Sequence, residues 1–204
     1  MSQIKLTADS GGGTVAIKGP ASTTGNAAIE LTVPGTGSGT LAVGDTGKIL
    51  QVVSTTKTDT ASFASANTSN FTDISGLSVS ITPSSTSSKI LVVATVAAAV
   101  GTGSLHVRLA RGSTGIAVGD TSSNRQSSTM SRRTQSSIYN LEITPMSFNF
   151  LDSPNTTSAT TYKVQATAGS TYDTTVYINR SSGDTDYSYG ARVASTITVM
   201  EVAA

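Results

Sequence analysis

The sequence predicts an all-β protein, an N-terminal β segment followed by a jelly-roll-like β-sandwich, and three observations carry that prediction. Near its end the chain alternates: Val193, Ser195, Ile197, Val199 and Glu201 fall on one face of an extended segment, with Ala194, Thr196, Thr198, Met200 and Val202 on the other. About a third of the 204 residues are Ser or Thr, only 12% are charged and 5% aromatic. That composition favours strands and tight turns over helices, because Thr and Val suit the pleat while Gly, Ser, Asn and Asp suit turns. From Gly47 onward, runs of strand length recur between Ser, Thr, Gly and Asn turns, the texture of a sandwich or jelly roll.

Residues 1–46 form a first domain of short β pieces at 3–8, 14–18 and 28–33. They are punctuated by Gly11-Gly12-Gly13 and ended by Pro34-Gly35-Thr36-Gly37-Ser38-Gly39. So small a segment buries little apolar area alone. Its apolar residues Ile4, Leu6, Val15, Ile17, Ile29 and Leu31 are therefore expected to attach it to something else, a second copy or a larger surface.

Residues 47–204 form the second domain. Strands are expected at 48–54 and at 77–81, where Leu77-Ser78-Val79-Ser80-Ile81 alternates cleanly before the turn at 83–88. Residues 89–100 are long and apolar. The Ala-rich end suits a helix, but the β-branched Val92, Val93, Thr95 and Val96 favour a central strand. A hairpin is expected from 105–111 and 116–118 around Gly112-Ser113-Thr114-Gly115, and 137–150, 161–166, 174–179 and 193–202 complete about eight strands. Residues 119–136 carry Arg125, Arg132 and Arg133 on a Ser-rich background and read as a long exposed contact loop.

The formal net charge of +1 implies no general attraction to nucleic acid or to a membrane surface. With no cysteine, disulfides and cysteine-ligated metals are excluded, and burial between identical subunits is the expected source of extra stability. The longest apolar run, 90–100, is too short to span a bilayer. Residues 1–6 hold one Lys5 with no apolar run behind it, so cytoplasmic synthesis without a secretory leader is expected.

Catalytic motifs are weak. His106, the one histidine, shares a strand face with Arg108 opposite Leu105, Val107 and Leu109, and reads as a surface or intersubunit residue. Asp45-Thr46-Gly47 matches the aspartic-protease tripeptide but lacks the apolar lead-in, and reads as a turn. Gly47-Lys48 lacks the remaining residues of a phosphate loop, and Gly11-Gly12-Gly13 is followed by a strand, not a dinucleotide-binding helix. Asp184 and Asp186 suit a turn better than a calcium site. Tyr162, Tyr172, Tyr177, Tyr187 and Tyr189 cluster in the last quarter, as strand packing or as an interface or binding surface. No enzymatic activity and no cofactor are expected.

The opening from Met1 to Val15, with Lys18-Gly19-Pro20-Ala21-Ser22-Thr23-Thr24 and Leu31-Thr32-Val33-Pro34, resembles that of marine and cyanobacterial tailed-phage virion surface proteins. Gly47-Lys48-Ile49-Leu50-Gln51-Val52-Val53, Phe71 to Pro83, Leu151-Asp152-Ser153-Pro154, Tyr162-Lys163-Val164-Gln165 and the final strand extend the likeness. The resemblance implies a virion structural protein, made in the host cytoplasm and carried on the capsid exterior or tail. It implies a homotrimer, and the closing strand 193–202, apolar enough on both faces to be covered, makes Ile197 and Val199 the candidates for packing near the axis. Decoration or cementing of the head, with residues 1–46 gripping the major capsid protein or another virion protein, is the leading expectation. The alternative is a short tail or head fibre that binds a host surface glycan. Neither reading involves nucleic acid or membrane insertion.

Overall fold

The computed structural model describes residues 3–7, 14–18, 48–65, 70–134, 141–169 and 175–204. Among them every regular element is a strand. The chain divides into two units, Met1–Ala42 and Val43–Ala204. In the first, β1 (Gln3–Thr7) and β2 (Thr14–Lys18) pair antiparallel, with Ile4 opposite Ile17 and Leu6 opposite Val15. Ile29 and Leu31, with the β piece expected at 28–33, lie outside the described residues.

The second unit contains β3 (Ile49–Lys57), β4 (Ala61–Ala64), β5 (Thr72–Ile81), β6 (Lys89–Ala99), β7 (Gly103–Arg111) and β8 (Thr114–Ile116). It continues with β9 (Met130–Thr134), β10 (Thr144–Asp152), β11 (Thr160–Gly169), β12 (Thr175–Ile178) and β13 (Ser195–Val202). Two antiparallel sheets result. The first runs β3-β13-β6-β10 and the second β5-β11-β7-β9, with β12 and β4 added to the first and β8 to the second. With the eight principal strands numbered in chain order, the sheets read 1-8-3-6 and 2-7-4-5, so all successive strands but 4 and 5 cross between sheets, as in a jelly roll.

Alternation explains the packing. Ile90, Val92, Ala94 and Val96 of β6, Met146 and Phe148 of β10 and Ile197 and Val199 of β13 point inward from the first sheet. They meet Leu77, Val79 and Ile81 of β5, Leu105, Val107 and Leu109 of β7, and Tyr162, Val164 and Ala166 of β11. Residues 89–99 are a strand to the end, and the Ala-rich stretch is buried because β6 lies at the centre of its sheet. Replacing one of the central aliphatic residues by Ala costs about 2–5 kcal/mol.

Two polar clusters close the sandwich. At one, Asp152 accepts hydrogen bonds from Arg111 Nη1 at 2.8 Å and from the buried Tyr162 hydroxyl at 2.6 Å, linking β10 to β7 and β11. At the other, the fully buried Glu201 accepts from Gln51 Nε2 (2.6 Å), Ser84 N (2.7 Å) and Ser84 Oγ (2.6 Å).

Both sheets fork. β13 and β12 lie in tandem along one flank of β6, and β9 and β8 along one flank of β7. Side chains fill the gaps in the ladders. In the first sheet Ala97 N donates to Ser195 Oγ (2.9 Å), which donates to Asn179 Oδ1 (2.6 Å), while Asn179 Nδ2 donates to the carbonyls of Lys57 (2.8 Å) and Asp59 (2.9 Å). In the second, Thr129 Oγ1 accepts from Leu109 N at 2.9 Å and Thr129 N donates to Val107 O at 2.9 Å. Each gap releases a long loop, residues 179–194 from the first and 117–129 from the second.

Several boundaries differ from the sequence reading. The first strand runs on to Lys57, and β5 begins at Thr72, with a register shift around the positive-φ Gly76 that masks its alternation. The β7–β8 hairpin turns on Gly112-Ser113 alone, with Gly112 at φ +59 as a II′ turn requires. β9 lies inside the segment read as a loop, because it is an edge strand that needs few apolar residues. β10 begins at Thr144, and the start of the strand expected from 137 falls partly outside the described residues.

Candidate functional site

The outer face of the first sheet is laid out in rows. Val52, Met200, Leu91 and Leu151 stand directly opposite one another across β3, β13, β6 and β10. Val52 remains 56% and Leu151 47% exposed, and Ile49, Leu50 and Val93 extend the apolar band. One row on, Ser54, Thr198, Val93 and Asn149 align, followed by Thr56, Thr196, Thr95 and Ser147. Hydroxyls there bond across strands, Ser54 to Thr198 at 2.8 Å and Thr95 to Ser147 at 2.9 Å. The sheet face is thus half apolar and half hydroxylated.

Beside the hydroxyl rows stands the loop of residues 179–194. Its stem is held by the buried Asn179 and Ser195, with Val193 N donating to Asn179 O at 3.0 Å. Asn179 is at φ 60, a conformation that Asn tolerates better than most residues. Asp184 cross-braces the loop, accepting from Arg192 Nη2 at 2.8 Å and lying 3.8 Å from Arg180 Nη1. A turn closed by Gly190 N to Tyr187 O (2.9 Å) brings Tyr187 and Tyr189 face to face, their ring centroids 4.9 Å apart and their planes 17° from parallel. These rings are 50% and 73% exposed, so the stacked pair projects as a ridge.

A cleft lies on either side of the ridge. Tyr187 lines a polar one of about 390 Å³ with Asp184, Thr185, Asp186 and Arg192. Tyr189 lines an apolar one of about 370 Å³ with Leu141, Ile143, Pro145, Val193 and Thr95. Ala191 belongs to both.

A third cleft, of about 320 Å³, opens on the outer face of the second sheet between His106, Gly169, Ser131 and the 117–129 loop residues Asn124, Arg125, Gln126 and Ser128. His106 lies over Gly169, where a Cβ would sit 2.5 Å from Nε2, and its Nδ1 is enclosed without a hydrogen-bond partner. Burial lowers its pKa below the ordinary histidine value. On the same face Arg108 stacks 4.2 Å from the centroid of Phe71 and donates to Gln165 Oε1 at 2.7 Å. Gln165 and Lys163 in turn hold Asp73, each at 2.6 Å.

The three arginines expected on one loop are separated. Arg125 is in the loop and bonds Ser122 Oγ at 2.8 Å, whereas Arg132 and Arg133 belong to β9 and Arg132 pairs with Glu142. Ile197 and Val199 are fully buried between the sheets of one chain, which leaves them no surface to offer a second copy. The outward residues of β13 are instead Thr196, Thr198, Met200 and Val202.

Asp184 is committed to two guanidinium groups, and no cluster of three His, Asp or Glu suited to a metal occurs among the described residues. Tyr162 is in the core, Tyr177 lies under Arg180 at 4.7 Å, and Tyr172 falls outside the described residues, as do Gly11-Gly12-Gly13 and Asp45-Thr46-Gly47. The tyrosine ridge has a trace in sequence: two aromatics two residues apart in a Gly- and Asp-rich loop bury no core. No protein-family model matches this chain, and no curated protein matches it.

Proposed function

We propose that this chain is a non-enzymatic structural protein of a tailed-phage virion, a homotrimer that decorates and cements the head exterior. Residues 1–46 provide attachment to the major capsid protein or another virion protein. The observation that carries this reading is the apolar row Val52, Met200, Leu91 and Leu151 on the outer face of the first sheet. An apolar band spanning four strands is costly to leave in water and fits burial against identical copies. Cementing acts by mass action, since a protein that binds only the assembled shell stabilises that shell.

Copy number in purified virions tests the reading. Hundreds of copies per particle support decoration, and a dozen or fewer point to a tail or head fibre, the reading that the ordered tyrosine loop favours. Sedimentation tests the interface: Val52→Asp and Leu151→Asp should convert the trimer to monomers with the sandwich intact. An unchanged mass would remove the apolar row from the interface.

A further inference from the structure

We infer that the tyrosine ridge of the 179–194 loop is a carbohydrate-binding site, one that takes neutral pyranose rings against Tyr189 and Tyr187. The inference does not depend on whether the protein sits on head or tail.

Three observations converge on this ligand class. The two rings stack on each other, and each lines a different cleft, so both clefts have an aromatic residue in their lining. A pyranose has one face of C–H groups and an edge of hydroxyls, and it matches a site with an aromatic wall beside polar groups. The apolar cleft offers Leu141, Ile143 and Pro145 for such a face, with Thr95 at its polar margin. The polar cleft offers Asp186, Thr185 and Arg192, which can accept from and donate to hydroxyls.

Charge excludes the nearest competitor. Nucleobases also stack on aromatic rings, but they arrive on a polyanion that needs a cationic groove. Here Arg180 and Arg192 both pair with Asp184, Asp186 adds a second carboxylate to the cleft, and the whole chain carries only +1.

The site is also built in advance. Asn179 and Ser195 fix the stem, the Asp184–Arg192 pair braces the middle, and the Tyr187–Gly190 turn sets the rings, so little ordering remains to oppose binding. At Gly190 a Cβ would come within 3.2 Å of the carbonyls of Thr185 and Tyr187, and a side chain there would strain the turn. Each cleft has one tyrosine of its own, so each takes one sugar ring.

The test is saturation-transfer NMR on the full chain. The probes are the methyl pyranosides of glucose, galactose, mannose and N-acetylglucosamine at about 10 mM, above the millimolar Kd of weak ligands, with maltose, lactose, mannobiose and chitobiose. The expected result is transfer from tyrosine ring protons to at least one sugar, and affinity about tenfold weaker in Tyr189→Ala. Tyr187→Ala, which also removes the ring that Tyr189 stacks on, should weaken the same sugar, and Arg125→Ala, in the cleft on the other sheet, should change nothing. Both tyrosines are exposed, so matching urea midpoints will show that the variants fold. Absence of transfer for every probe overturns the proposal, as does loss of binding in Arg125→Ala with binding retained in Tyr189→Ala. It is equally overturned if Tyr189→Ala alters only the sedimenting mass, which would make the ridge a contact between copies.

Discussion

Glu201 shows how alternation can carry a carboxylate into the interior. It continues the inward face of β13 after Ser195, Ile197 and Val199 and is fully buried. Burial by itself would raise its pKa, but hydrogen bonds from Ser84, Gln51 and Ser88 outweigh that effect and bring it down to about 2. A carboxyl depressed on folding stabilises the native state above its unfolded value, near 4.5, and that contribution is lost as pH falls toward 2. Urea midpoints measured down this range should therefore drop in the wild type and drop less in Glu201→Gln. Glu201→Ala, which strands the Ser84 and Gln51 donors, should cost about 1–3 kcal/mol at neutral pH.

His106 allows a second measurement at this scale, because it is the chain's one histidine and gives an isolated NMR signal. Its midpoint should lie below the ordinary histidine value. Gly169→Ala places a methyl 2.5 Å from Nε2, and should push the ring outward, return the midpoint toward normal and cost about 1–3 kcal/mol. The face of His106 was legible from alternation, since Leu105, Val107 and Leu109 are all buried opposite it. The fate of Glu201 was not, because its donors come from β3 and from the turn before β6, far off in sequence.

At the scale of elements, β3, β6, β11 and β12 were legible as strand-length runs, and β7, β13 and the end of β5 were the clearest, because alternating aliphatic residues bury one face. β4 and β9 escaped notice because each pairs on one side only, and Ala-Ser-Phe-Ala and Met-Ser-Arg-Arg-Thr carry little apolar pattern. The forks were invisible, since the sequence does not say that two strands will share one flank of a third. Their repair depends on single side chains. Asn179→Ala removes the bonds to Lys57 O, Asp59 O and Ser195 at a left-handed position and should destabilise the sandwich by about 2–4 kcal/mol. Limited trypsin digestion should then cut at Arg180 and Arg192 faster than in the wild type, and equal rates would show that the loop is ordered by other means.

For the molecule as a whole, the core described here lies entirely within residues 43–204. A chain lacking residues 1–42 should unfold at the wild-type urea midpoint, within about 0.5 kcal/mol. On the proposed function the same chain should be absent from virions assembled in its presence. A large fall in the midpoint would instead make the first unit part of the folding core. The apolar row on the outer face could not be anticipated residue by residue, because Val52, Leu91, Leu151 and Met200 come from four distant segments and meet only through the register.

The forked first sheet bears on how such a protein can change. Asn179 and Ser195 lock the stem of the 179–194 loop to β6 and to the carbonyls of Lys57 and Asp59, so the sandwich is complete without anything between them. The intervening residues are therefore an interchangeable cassette. Foreign sequence inserted between these two anchors should be displayed on an unaltered scaffold, and natural variants could exchange one binding specificity for another without renegotiating the fold.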